Sequence, residues 1–129
     1  MSLINTQKRI IKQIKRHRQT KLDQKMILVE FPAESGKMFS LSTESQDNWS
    51  KLAVLDLRGL VSYPFVVTTY RERDSYALTS SADLTSAIAA ISAAVSAERS
   101  VAAGYIVAVL AATDEASARA AADPYLVWN

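Results

Sequence analysis

Apolar and polar positions along the chain alternate in two distinct rhythms, and these predict the order helix, hairpin, helix, hairpin, long helix, short helix. From Ser2 or Asn5 to about Asp23, Leu3, Gln7, Ile10, Ile14 and Arg18 recur at helical steps, with Ile11 widening the stripe. The apolar face is narrow, so this helix needs a partner to be stable. "MILVEF" (26–31) reads as a strand, "PAESGK" as a turn, and "MFSLS" as a returning second strand.

The next helix starts at Ser42 or Thr43. Thr43 and Gln46 have capping-box spacing, and Glu44 and Asp47 place negative charge in the first turn. Trp49, Leu52, Ala53, Leu55 and Leu60 form its expected buried face, and Gly59 followed by Tyr63-Pro64 ends it. "FVVTTY" (65–70) is a β-rich strand that pairs with "SYALT" (75–79) across the charged connection "RERD".

Thr79 or Ser80 then caps a long helix, with Asp83 at the third position after Ser80. Leu84, Ile88, Ile91 and Val95 form a seam. Glu98 takes its next place, and Ala102, Tyr105 and Val109 resume it. A helix over about 82–112 would be roughly 45 Å long, against a domain diameter of about 30 Å. Either it breaks near 100–104, or one end projects. Thr113-Asp114 caps a last short helix that Asp123-Pro124 is expected to stop, and the tail "YLVWN" is apolar enough to dock.

These elements predict an α+β fold. Its parts are an N-terminal basic helix, two β-hairpins in one small antiparallel sheet, a central Trp helix, a long Ala-rich helix and a short final helix. The expected division is a basic helical arm at 1–25 and an α+β domain at 26–129.

Alanine changes the picture of the long helix. Sixteen of the 36 residues from Ala87 to Ala122 are Ala, which favours helix and close approach but buries little area per residue. Such a helix either fills tight packing within a monomer or finds a second surface in an oligomer. Charge is unevenly placed. Eight of the fifteen basic residues precede Met26 against Asp23 alone, so that segment carries +7 and the remainder −5. The basic arm can grip a polyanion, lie against an acidic protein surface, or stay solvated.

The chain has no cysteine, which excludes disulfides, thiolate metal sites and a cysteine nucleophile. No apolar run follows the charged start, so no secretory signal is expected. The longest run, "VAAGYIVAVLAA", falls short of the roughly 20 residues a bilayer needs, and a soluble protein without a membrane span is expected.

Candidate chemistry is sparse. His17 is the single histidine, set among Lys15, Arg16 and Arg18 with no carboxylate nearby in sequence, and reads as a solvated helix-face residue. Glu72 and Asp74 fall on a hairpin tip. Glu34-Ser35-Gly36-Lys37 lacks both the leading Gly and the Gly-Lys-Ser/Thr ending of a phosphate loop. No catalytic, cofactor or metal site is expected. The candidate partner-binding residues are Lys8, Arg9, Lys12, Lys15 and Arg16 on the basic face, Ile10 and Ile14 beside them, and the seam of Leu84, Ile88, Ile91 and Val95.

From about Ile14 to Ala122 the chain resembles a domain of unassigned biochemical function found in tailed bacteriophages. That domain occurs at the C-terminal end of tail-fibre or tail-tip proteins, or as small neighbouring tail proteins. The residues that carry the resemblance are "RQTKLDQKMILVEFPAESGKMFSLSTESQDNW", "YPFVVTTYRERDSYALTSSADLTSAIAAI" and "YIVAVLAATDEA". The chain departs from the usual pattern at 71–74, where Arg-Glu-Arg-Asp replaces an Asp-Asn turn, and at Val101-Ala102, where Leu-Lys is common. The resemblance implies a non-enzymatic virion component made in the host cytoplasm. It would be a homo-oligomeric baseplate or fibre-attachment part joined to fibre, baseplate or tail-tube proteins. The alternatives are a fibre-assembly chaperone absent from the mature particle and, less favoured, a nucleic-acid-binding protein using the basic helix.

Overall fold

The computed structural model describes residues 2–24, 27–71 and 74–126. The fold is α+β, with four helices and two antiparallel two-stranded sheets. In chain order the elements are α1 (Leu3–Asp23), β1 (Leu28–Glu30), β2 (Met38–Ser40), α2 (Thr43–Leu57), β3 (Phe65–Thr68), β4 (Ser75–Leu78), α3 (Ser81–Leu110) and α4 (Glu115–Leu126). They belong to two compact units. One comprises Lys21–Val95, the other Met1–Thr20 with Ser96–Asn129.

In the unit Lys21–Val95, β1 pairs with β2 in the register Leu28↔Ser40, Val29↔Phe39 and Glu30↔Met38. The second hairpin runs from Phe65↔Leu78 to Thr68↔Ser75. The two hairpins form separate ladders rather than the single sheet expected. They still touch: Tyr70 N–H donates to the Met38 carbonyl at 2.9 Å, and Lys37 forms an ion pair with Asp74. The Glu30 carboxylate holds the first turn, accepting from the amides of Glu34 (3.0 Å) and Gly36 (3.1 Å). Those amides are the ones an anion-binding loop would need, so the turn is structural.

Capping residues fix both ends of α2. Its N-cap is Ser42, whose hydroxyl accepts from Ser45 N–H at 3.2 Å. Gln46 instead donates to the Leu41 carbonyl at 2.8 Å, so the expected Thr43–Gln46 box does not form. At the other end Gly59 adopts φ 69°. Gly59 N–H then reaches the Asp56 carbonyl and Leu60 N–H the Leu55 carbonyl, which closes the helix with two orphan carbonyls satisfied. Trp49 and Leu52 are buried, but Leu55 and Leu60 are 42% and 66% exposed, contrary to expectation. The left-handed step at Gly59 carries Leu60 out of the helix, leaving it outside the core.

The core of this unit gathers Leu22, Phe39, Leu41, Trp49, Leu52, Leu78 and, from α3, Leu84, Ala87, Ile91 and Val95. Phe39 meets Trp49 edge-on at 5.8 Å between centroids. Ser80 caps α3 by accepting from Asp83 N–H, while Asp83 reaches back to Thr79 N–H. Asp56 accepts from the hydroxyls of Tyr63 (2.6 Å) and Ser81 (2.9 Å), tying α2 to the start of α3.

In the other unit the core is Ile10, Ile14, Ala102, Val109, Ala118, Ala122 and Tyr125. α1 is therefore not an outlying arm at 1–25. Its narrow stripe finds its partners in the later part of α3 and in α4. Gln7 donates through Nε2 to the Val109 carbonyl at 3.1 Å, and more weakly to those of Leu110 and Ala112. The side chain thus adds a donor at the end of α3, where the Val109 carbonyl also accepts from Ala112 N–H. Asp114 caps α4 by accepting from Ser117 N–H at 2.7 Å.

α3 runs unbroken for 30 residues through Gly104. By length and composition alone it is a helix that could cross a membrane, yet its seam supplies buried residues to both cores. Pro124 does not stop α4, which continues through it to Leu126. A proline so near the end removes one backbone hydrogen bond, and the buried Tyr125 anchors that last turn.

Candidate functional site

The seam expected on α3 is present, and it faces inward. Leu84, Ile91 and Val95 are buried and Ile88 is half-buried against them. Ile10 and Ile14 are likewise internal, at 3% and 0% exposure. As partner-binding residues these six are corrected, because the fold itself consumes their apolar surface. The basic residues named with them are different: Lys8, Arg9, Lys12, Lys15 and Arg16 are all exposed.

Glu98, the polar interruption of the seam, is buried and accepts a 2.7 Å hydrogen bond from the Tyr125 hydroxyl. Around Tyr125 stand Tyr105, with centroids 5.0 Å apart, and His17, edge-on at 5.4 Å. Burial pushes the Tyr125 phenol above its ordinary range, and the bond to the Glu98 carboxylate adds to the shift. His17 is thus half-buried on an aromatic ring rather than solvated. The sequence could not reveal this constellation, because its members come from three helices. It brings a carboxylate, a phenol and an imidazole into one region of a packed core, where their visible role is to satisfy a polar seam position. Among the described residues no group of acids and histidine has the arrangement of a metal site. Asp74 is held below the usual carboxylate range first by its hydrogen bond from Lys37; Glu72 lies outside the described residues.

Two of the open surfaces among the described residues offer room for a partner. In the unit Lys21–Val95, a groove of about 380 Å³ separates α2 from β3, lined by Trp49, Lys51, Leu52, Leu55, Phe65 and Val66 among others. Phe65 and Val66 are 36% and 62% exposed, and Leu57 at the end of α2 is 88% exposed. Among the described residues β3 pairs only with β4, so its other edge carries backbone donors and acceptors outside any ladder. In the other unit, α1 and α4 flank two hollows with basic rims.

No family model matches the chain, and neither a curated protein nor a solved structure matches it.

Proposed function

We propose that this chain is a non-enzymatic structural or connector component of a bacteriophage tail, working by protein–protein assembly at a baseplate or fibre attachment. One observation carries the assembly reading: large apolar side chains lie exposed along the end of α2 and on β3. They are Leu55, Leu57, Leu60, Phe65 and Val66, from 36% to 88% exposed, and Leu55, Phe65 and Val66 line one groove beside an unpaired strand edge. A monomer that keeps its apolar surface in water gains nothing from it, whereas clustered exposed apolar residues mark contact surfaces. An extended segment could add to the β3 edge and seat alternate side chains in the groove. The placement in a phage tail rests on the sequence resemblance.

The test is peptide mass spectrometry of purified particles made from the encoding genome, compared with the cleared lysate. The expected result is this chain in the particle alongside tail proteins. Presence in lysate with absence from particles would replace this reading with that of an assembly chaperone. The exposed lysines of α1 favour a second reading, contact with nucleic acid; DNA retention that falls steeply with salt and is lost on replacing Lys8, Lys12 and Lys15 by Ala would support it.

A further inference from the structure

The hollows between α1 and α4, with volumes of about 370 and 350 Å³, adjoin at Gln13 and Leu126, which line both. At the first hollow Ile10 and Ala122 are buried; half-buried Leu126 borders both hollows, and half-buried His17 and Thr20 line the second. The rim is cationic, with Arg9 and Arg119 at the first hollow and Arg16 at the second. All three arginines are exposed, and none has an ion-pair partner among the described residues. Among the described residues Asp123 is the only acidic one lining either hollow.

We propose that this groove binds an acidic segment of a partner protein, its carboxylates paired with Arg9, Arg16 and Arg119 and one short apolar side chain resting on Ile10, Ala122 and Leu126. The inference rests on the assembly reading and gives it a partner chemistry. Guanidinium groups present forked donors that match carboxylates, and the apolar side chains of Ile10, Ala122 and Leu126 reward a segment that mixes acids with an aliphatic residue. A nucleic-acid strand fits less well. Among the described residues no Phe, Tyr or Trp lines either hollow to stack a base.

A second copy also fits less well than a distinct partner, because seven of the chain's thirteen carboxylates are already engaged, Asp23 with the Thr43 amide and Glu98 with the Tyr125 hydroxyl among them. Glu30 holds its own turn, and Asp56 binds Tyr63 and Ser81. Asp74 pairs with Lys37, Asp83 caps α3, and Asp114 caps α4.

The experiment uses the full chain and a fluorescent peptide of about a dozen residues built from Glu, Asp and Leu, followed by anisotropy at low and physiological salt. Replacing Arg9, Arg16 and Arg119 together by Ala should weaken binding by about tenfold or more, a change of about 1.4 kcal/mol. Replacing Lys8, Lys12 and Lys15 by Ala removes the same charge beside the groove and should weaken it by less than about threefold. A triple Arg→Lys variant keeps the charge without the fork and should fall between them. Circular dichroism checks that every variant keeps its helices.

The proposal is overturned by equal losses in both Ala variants, by no peptide binding at all, or by an oligonucleotide that binds more tightly with the same arginine dependence. It is overturned equally if the three arginines support only self-association of the chain. Detection of the chain in particles is independent of these outcomes, so failure here leaves the tail reading standing, and failure there leaves the groove result standing.

Discussion

The hydroxyl of Tyr125 donates a 2.7 Å hydrogen bond to the carboxylate of Glu98, and both residues are buried. The bond explains how a heptad seam tolerates an acid at its centre: α4 brings a donor to it. Removing the hydroxyl with Tyr125→Phe takes one donor from a buried carboxylate and should cost about 1–3 kcal/mol in urea unfolding. A double-mutant cycle with Glu98→Gln should show coupling of about 1 kcal/mol or more between the two sites. Strict additivity would mean that the bond contributes nothing specific.

The same residue contributes to the alkaline limit, beside Tyr63 and Tyr76, whose phenols are also raised, first by burial. The Tyr125 phenol is raised in the folded state, first by burial and then by its bond to Glu98. The folded chain therefore holds that proton more tightly than the unfolded chain. This contribution is complete below the unfolded tyrosine value of about 10 and is lost as pH rises beyond it. Stability should fall above about pH 10, and less steeply in Tyr125→Phe.

At the acid end, Asp74 is lowered chiefly by Lys37 and Asp114 by the Ser117 amide. Their contributions are present above the unfolded carboxylate value of about 3.9 and disappear as pH drops through the folded values. Thermal unfolding between neutral pH and pH 3 should show the loss, with a smaller acid dependence in Asp114→Asn.

Core truncations should separate packed seam from bare face on α3. Leu84 is 1% exposed and Ile91 4%, so replacing either with Ala should cost about 2–5 kcal/mol. Exposed positions of the same helix, such as Ser92 or Ser100, should change stability by less than about 0.5 kcal/mol on substitution by Ala.

Gly59→Ala tests the end of α2. Open space surrounds the new Cβ, so the expected cost, about 1 kcal/mol, comes from the left-handed backbone alone. Ser42→Ala, which removes the N-cap acceptor, should cost a similar amount, about 1 kcal/mol.

Much of the architecture was legible because periodicity and caps are local. The seam from Leu84 to Val109, the Ser80–Asp83 cap and the two hairpins follow from spacing and turn residues within a few positions. What was not legible depends on encounters between distant segments. The stripe on α1 does not announce that α4 will cover Ile10 and Ile14, nor does a lone histidine reveal that Tyr125 will pack on it. Two β-rich pairs imply two hairpins, but only the folded chain shows them meeting through Tyr70 and Met38 rather than along a full ladder. The groove arginines were partly visible: Arg9 and Arg16 sit on the basic face, whereas Arg119, in an Ala-rich helix, gave no signal.

The most direct test of the assembly account is hydroxyl-radical footprinting of the free chain and of purified particles, read by mass spectrometry at Leu55, Leu57, Leu60, Phe65 and Val66. These side chains should oxidise readily in the free protein and be protected several-fold in the particle. Equal oxidation in both states would contradict the assembly reading.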